Sequence, residues 1–308
     1  MSSMIYKKKS PLLFFLVPAF LFLVVYLYYP FLQNIINTFL DIGGLGRAAE
    51  GVNDPWYANY RNLFQDPDLG TAIKNTVLLT IFTVVFQVGI ALILALLVDS
   101  IRVGGKVFRT VYFFPIVISA TALGLMFNLM FLYKGGMVNQ LLLNMGVLES
   151  EVMGNGRQIV QWLDWKDENH FLFTMFLPVI WQYVGFYFVI IITGLNNIPG
   201  DLLEAAALDG ASGLKKVRYI TLPMLRNVLC TCLVLAITGA LKVFDLPWVM
   251  FGAGMPQNQG WLTGTYMYDQ TFNKMNVDYG STIAVLIVVL GVVLSNVANR
   301  LFKPTEDY

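Results

Sequence analysis

A single histidine and two cysteines in 308 residues leave little from which to build a metal centre or a disulfide framework. Charge is scarce too. Only 13 % of the residues are Asp, Glu, Lys or Arg, about half the share usual in a soluble domain, and a net charge of +1 gives no overall field toward nucleic acid. No G-x-x-x-x-G-K-[ST] phosphate loop occurs, and "GGK" at 104–106 is too short to form one, so the chain is not expected to hydrolyse ATP. The lone His170 lies at the edge of an apolar run with no convergent set of titratable groups around it, which argues against a membrane-embedded enzyme. Within the apolar runs only Lys242 and Asp245 are charged, too few for an ion-coupled secondary transporter.

What the chain has in abundance is apolar sequence, 57 % of its residues. About 20 mostly apolar residues are needed to cross a bilayer, and six runs qualify: 12–32, 77–98, 111–132, 171–195, 228–251 and 282–298. Helices are expected throughout, because a lipid-exposed chain must satisfy its backbone internally and the alternation of barrel strands is missing. Pro18, Pro115 and Pro178 predict local kinks. Cys230 and Cys232 read as small buried side chains inside the fifth run. The first run follows "KKK" at 7–9, yet no small-x-small cleavage site comes after it, so an uncleaved span is expected. The expectation is an all-α membrane protein, a single domain over 1–308.

Lysine and arginine set the orientation. With the N-terminus in the cytoplasm, twelve of the twenty basic residues fall in inside segments, whereas the outer segments hold seven against twelve acids. Both termini are therefore expected to be cytoplasmic, together with the loop 199–223 between the fourth and fifth runs.

That loop, which contains "EAAALDGASGLKKVRYITLP", is small, charged and broken by glycines. Asp201 and Glu204 have the spacing of a capping box, "LLEAAAL" continues with strong helix formers, and Gly210 can end the helix in a left-handed conformation. Ser212 can cap a second short helix running toward Pro223. The spacing predicts a helix-turn-helix at the membrane surface.

The same stretch resembles the signature of binding-protein-dependent ABC import permeases: EAA, three residues, Gly, nine residues, Ile, one residue, Leu-Pro. Glu204, Ala205, Ala206, Gly210, Ile220, Leu222 and Pro223 stand at its fixed positions. The resemblance to sugar permeases of the maltose and glycerol-phosphate type extends to "ANYRNLFQDPDLGTAIKNTVLLT" (58–80), "FRTVYFFPIVIS" (108–119), "WQYVGFYFVIIITGLNNIPGDLLEAAALDGAS" (181–212) and "VFDLPWVMFGAGMP" (243–256). Two departures stand out: Leu214 and Val217 replace bulky aromatics, and "GAGMP" replaces Gly-Gly-Pro.

The resemblance implies a type I ABC importer permease fold in a prokaryotic inner or plasma membrane, surrounded by lipid. The implied partners are a second permease subunit in a heterodimer, two ATPase subunits or a homodimer of one kind, and an extracellular solute-binding protein. Cofactors are expected on the partners alone, ATP and Mg on the ATPases and none on this chain. The implied cargo is a carbohydrate, an oligosaccharide first, with a sugar phosphate such as glycerol 3-phosphate as the alternative. Glu204, Ala205, Ala206, Asp209 and Gly210 are the implied coupling residues, seating in a cleft of the ATPase.

A pathway wall is expected in the fifth run, where Thr238, Lys242 and Asp245 are spaced i, i+4, i+7 and so share one face of a continuous helix. The blander alternative is that Lys242 and Asp245 merely neutralise each other. By resemblance, Trp181, Gln182, Tyr183 and Phe186 in the fourth run complete the site, which is expected to hold no metal. The orientation is tested by reporter fusions. Fusions after Tyr308 or within 212–216 should read cytoplasmic, and one within 140–165 external; an external signal at 212–216 would overturn the topology.

Overall fold

The computed structural model describes residues 9–101, 104–152, 158–252 and 259–301. The basic residues Lys7, Lys8, Arg102, Arg157 and Lys303, and "GAGMP" beyond Gly252, lie outside the described residues. Five helices are long and apolar enough to cross a membrane: Leu13–Asn37, Pro67–Asp99, Phe171–Asn196, Arg226–Phe251 and Val277–Arg300. The third predicted run is instead a pair, Gly105–Val117 and Ala120–Met130, bent by 92°. Taken as one span the pair makes six. Two small antiparallel ladders, Leu40–Asp41 with Gly51–Val52 and Ser150–Val152 with Gln158–Val160, add a little β structure to the all-α expectation.

Hydropathy misplaces some boundaries for a physical reason. The second span starts at Pro67 rather than 77, because Asn75 and Thr76, which lower its hydropathy, are buried against protein on a face shared with Leu69 and Ala72. Asn75 there donates from Nδ2 to the carbonyls of Gln259 (2.6 Å) and Trp261 (3.0 Å), and Thr76 Oγ1 accepts from the Thr263 amide at 2.9 Å.

The prolines act unequally. Pro18 and Pro178 sit inside helices that continue through them. Pro115 lies in a helix that ends at Val117, where Ile118 turns extended (φ −74°, ψ 134°) and Ser119 Oγ accepts from the Ala122 amide at 3.2 Å to start the next helix. A break that was not expected interrupts the fifth span between Leu241 and Asp245. Pro247 explains it: having no N–H, with its ring set against the carbonyl four residues back, it prevents a regular helix from passing through Val243.

The contacts group the chain into two units, Met1–Asp66 with Met267–Leu286, and Pro67–Tyr266 with Ile287–Tyr308. In the first, the short helix Ala58–Gln65 is tied to the start of the last span. Buried Asn59 donates from Nδ2 to Thr38 O (3.2 Å) and Asp278 Oδ2 (2.9 Å), and the Tyr279 hydroxyl donates to Asp66 Oδ2 at 2.6 Å.

In the second unit the fourth span is central. It carries residues of two apolar clusters, one with Phe127, Phe131, Trp165, Met175 and Met250, the other with Ala91, Ala95, Phe188, Ile191 and Ala236. Lipid tails are as apolar as these side chains, so association between spans depends on close packing. Gly185 provides the closest approach: a Cβ there would lie 1.7 Å from the Tyr112 carbonyl oxygen. Gly185→Ala must push the two helices apart, at about 1–3 kcal/mol by the usual cost of overpacking. The purified variant should unfold at a lower temperature in detergent than Gly89→Ala, whose added Cβ meets nothing within 4 Å. Equal midpoints would refute this crossing.

Candidate functional site: a surface helix and a central cavity

The signature loop forms its first helix over Gly200–Leu208, entered through Pro199 at φ −58°, ψ 132°. The expected capping box is not formed. Asp201 lies inside the first turn, one residue after the helix starts, and no side chain caps the amides. Its carboxylate instead favours the helix by sitting at the positive end of the backbone dipole. The far end behaves as expected: Gly210 adopts φ +78°, its amide donates to Ala207 O at 3.1 Å, and the Ala211 amide donates to Ala206 O at 2.8 Å. These two bonds are the Schellman pattern, and they satisfy carbonyls the helix would otherwise leave open.

Ser212 does not cap the second helix, which starts at Leu214 after Gly213 (φ 55°, ψ −127°) with no side-chain cap. Glu204, Ala205, Asp209 and Gly210 are exposed, while Ala206 is buried and faces the protein. Leu208 is 90 % and Leu214 86 % exposed. The loop thus presents an acid-bearing, small-residue helix flanked by two bare leucines.

The second feature is a cavity of about 280 Å³ in the second unit, where the second, fourth and fifth spans meet. Gln182, Tyr183 and Phe186 line it from the fourth span, and Lys242 and Asp245 from the break in the fifth. Trp181 and Thr238 are not on its wall. The Trp181 ring packs edge-on against Phe127 at 5.8 Å, and Thr238 Oγ1 donates back to Val234 O at 2.9 Å in its own helix.

The expected continuous helix face is replaced by the break. Lys242 caps the end of Arg226–Leu241 and Asp245 is the first residue of the next helix, so the turn between them, not helical periodicity, brings both to the cavity. Among the described residues neither forms an ion pair, so mutual neutralisation is not what holds them there. Irregular backbone at membrane depth is tolerated where it lines a cavity or is buried in protein, and this segment lines one.

Buried Gln182 has a structural task as well, since its Nε2 donates to the Ile118 carbonyl at 3.4 Å, at the bend of the third span. The sequence reading missed Thr83 and Gln87 of the second span, which also line the cavity. Gln87 is buried and donates from Nε2 to Val179 O at 2.8 Å, one residue past Pro178. A signal was available: Thr76, Thr80, Thr83 and Gln87 recur at i, i+4, i+7, i+11, a polar stripe on one face of an apolar helix, and all four are buried.

Residues 87–307 match the family described as "Binding-protein-dependent transport system inner membrane component". The chain is 32 % identical over 295 residues to the osmoprotective compounds uptake permease GgtC of Synechocystis sp., covering 95 % of this chain and 99 % of the relative. It is 28 % identical over 298 residues to the arabinooligosaccharides transport system permease AraP of Bacillus subtilis, covering 96 % and 90 %. A chain of a bacterial alginate ABC transporter, solved in complex with its pentasaccharide-bound periplasmic protein, superposes with a TM-score of 0.78 at 20 % identity over 96 % of this chain and 94 % of that one. At that identity the likeness establishes the fold, the type I importer permease arrangement. With a family match over more than two thirds of its length and several membrane-crossing helices, the chain is a multi-pass member of the binding-protein-dependent inner membrane transport family.

Proposed function

We propose that this chain is one permease subunit of an ABC importer that admits a carbohydrate, with ATP hydrolysed on separate subunits. In this reading it pairs with a second permease, stands on two ATPase subunits and receives its cargo from an external solute-binding protein. The observation that carries the reading is the signature helix: short, closed by its glycine, exposed through Glu204, Ala205, Asp209 and Gly210, and flanked by the bare leucines 208 and 214. Such a surface needs a cover in water, and a cleft in a cytoplasmic ATPase supplies one. The relative AraP, named for arabinooligosaccharides, supports the substrate class.

The cavity suits that class. Two aromatic residues, Tyr183 and Phe186, share its wall with an amide, an ammonium and a carboxylate, a set of groups fit for the apolar and hydroxyl faces of a sugar. One cation against one anion favours a neutral sugar over a sugar phosphate.

The mechanics follow as a population shift: ATP closes the ATPase pair, the signature helices travel with it, and the permeases turn from inward-open to outward-open. Glu204→Lys reverses a charge on the docking face, and Gly210→Pro forbids the φ of +78° that closes the helix. Both variants should insert normally, retain less ATPase on co-purification and lose uptake. Single changes of Tyr183, Lys242 and Asp245 to alanine should leave assembly intact and lower uptake about tenfold each, the worth of roughly one charged hydrogen bond or stacking contact. Gln182→Ala should also loosen the bend at Ile118. If uptake survives all six changes, both the docking helix and the cavity lose their assigned roles.

A further inference from the structure

Lys166 lies in the loop before the fourth span, outside the membrane-crossing helices, yet it is not a free surface lysine. Its Nζ donates at 2.9 Å to Asn128 Oδ1, in the helix Ala120–Met130, and at 2.9 Å to the Met250 carbonyl, near the end of the helix Asp245–Phe251. The ammonium also stands 5.8 Å from the centre of the Phe251 ring. Burial pushes its pKa down, and the Asp164 carboxylate beside it pushes back up.

Each contact has a physical reason. Met250 O is among the last carbonyls of a helix, which have no intrahelical acceptor role to play, and a cation there also meets the negative end of the dipole. The loop that carries Lys166 is itself fixed. Trp165 Nε1 donates to Asn139 Oδ1 at 2.9 Å, Asn139 Nδ2 donates to Leu163 O at 2.9 Å and Tyr133 O at 2.9 Å, and Thr174 Oγ1 donates to Trp165 O at 2.8 Å. Asn139 and Thr174 are fully buried. The two short helices that Lys166 joins are themselves pressed together, since a Cβ on Gly124 would lie 2.9 Å from Val249 Cβ.

The helix Asp245–Phe251 therefore has two ends with different surroundings. Its first residue, Asp245, lines the cavity; five residues on, about 8 Å along the axis at 1.5 Å per residue, Met250 is held by Lys166. We propose that Lys166 is a positioning residue that pins the distal end of this helix, so that the Asp245 wall of the cavity moves only together with the loop carrying Trp165 and Lys166. Resting on the importer reading, this gives a path from a protein docking on that loop to the cavity wall: displacement of the loop releases or carries the helix. With the pin removed, the wall is free to shift without the docking signal.

The test uses the complete transporter with its ATPases and binding protein in proteoliposomes. Lys166→Met keeps the length of the side chain and removes its donors, while Lys166→Arg restores donors and charge. In Lys166→Met, ATP hydrolysis without binding protein should rise about fivefold or more, the size of a typical coupling between sites, and sugar moved per ATP should fall. Lys166→Arg should recover most of both. A structural role alone would reduce every activity in proportion to the complex assembled, which is measured alongside. Proportional loss, or an unchanged ratio of basal to stimulated hydrolysis, overturns the proposal. A wild-type complex that neither imports nor responds to binding protein overturns the importer reading and this inference with it; a working wild type matched by Lys166→Met overturns the inference alone.

Discussion

The constraint on which this structure depends is that backbone amides and carbonyls inside a bilayer find partners within the protein. Straight spans meet it automatically. The third and fifth spans do not, because one stops at Ile118 and the other between Leu241 and Asp245. Each interruption lies beside the fourth span and the cavity, and at the first a side chain of the cavity's wall meets the exposed backbone: Gln182 reaches Ile118 O, while Gln87 of the second span donates to Val179 O within the unbroken fourth span. Ser119 closes the remaining end by capping Ala122. The cavity is thus not carved out of finished helices. It is the place where two helices break, and Gln182, which meets the backbone at one of the breaks, adds to its hydrogen-bonding character.

Close packing holds these breaks in register. Water does not drive apolar helices together in lipid, so stability comes from backbones that approach within van der Waals contact. Gly185 lets the fourth span lie against Tyr112 of the third, Gly194 lies under Val228 of the fifth, and Gly124 accepts Val249. Two of these glycines sit on the fourth span, which walls the cavity, and the third on the helix Ala120–Met130 after the bend. By contrast, the signature helix has little packing of its own beyond Ala206 and relies on its Schellman closure. A short helix that is rigid without being embedded can be gripped by a partner, whereas one built into the core could not be.

Much of this was legible in the sequence. The six apolar runs map onto the observed helices because hydropathy detects a long apolar run whether it meets lipid or, as in the fourth span, protein, and Gly210 could be read because φ near +78° is open to few other residues. Boundaries and breaks were read less well. The second span extends back to Pro67 because Asn75 and Thr76 face protein, which hydropathy counts as polar surface. The break at 242–244 was signalled by Pro247, whose effect falls four residues earlier than the residue itself. Asp201 failed as a cap because the rigid Pro199 already sets the entry, so the helix begins one residue before it. Thr83 and Gln87 escaped notice since single polar residues in a span look incidental until their i, i+4, i+7 recurrence is counted.

The connectivity ties surface helix and cavity together. The signature helix follows directly from the fourth span through Asn197–Pro199 and leads into the fifth at Arg226, and these are the two spans that supply Gln182, Tyr183, Phe186, Lys242 and Asp245. From Phe186 to Pro199 the chain is nearly all one helix, about 20 Å long at 1.5 Å per residue, stiff enough to carry a displacement without absorbing it. If the fourth and fifth spans were both unbroken, a push on the loop would move the two walls as one body and leave the cavity unchanged. The interruption at Val243 alters that outcome, because the helix Asp245–Phe251 is held at its other end by the bent half of the third span and by Lys166. In the proposed importer one wall would follow the signature loop while the other stayed with the loop that carries Lys166, so that a movement at the surface would become a change in the shape of the cavity.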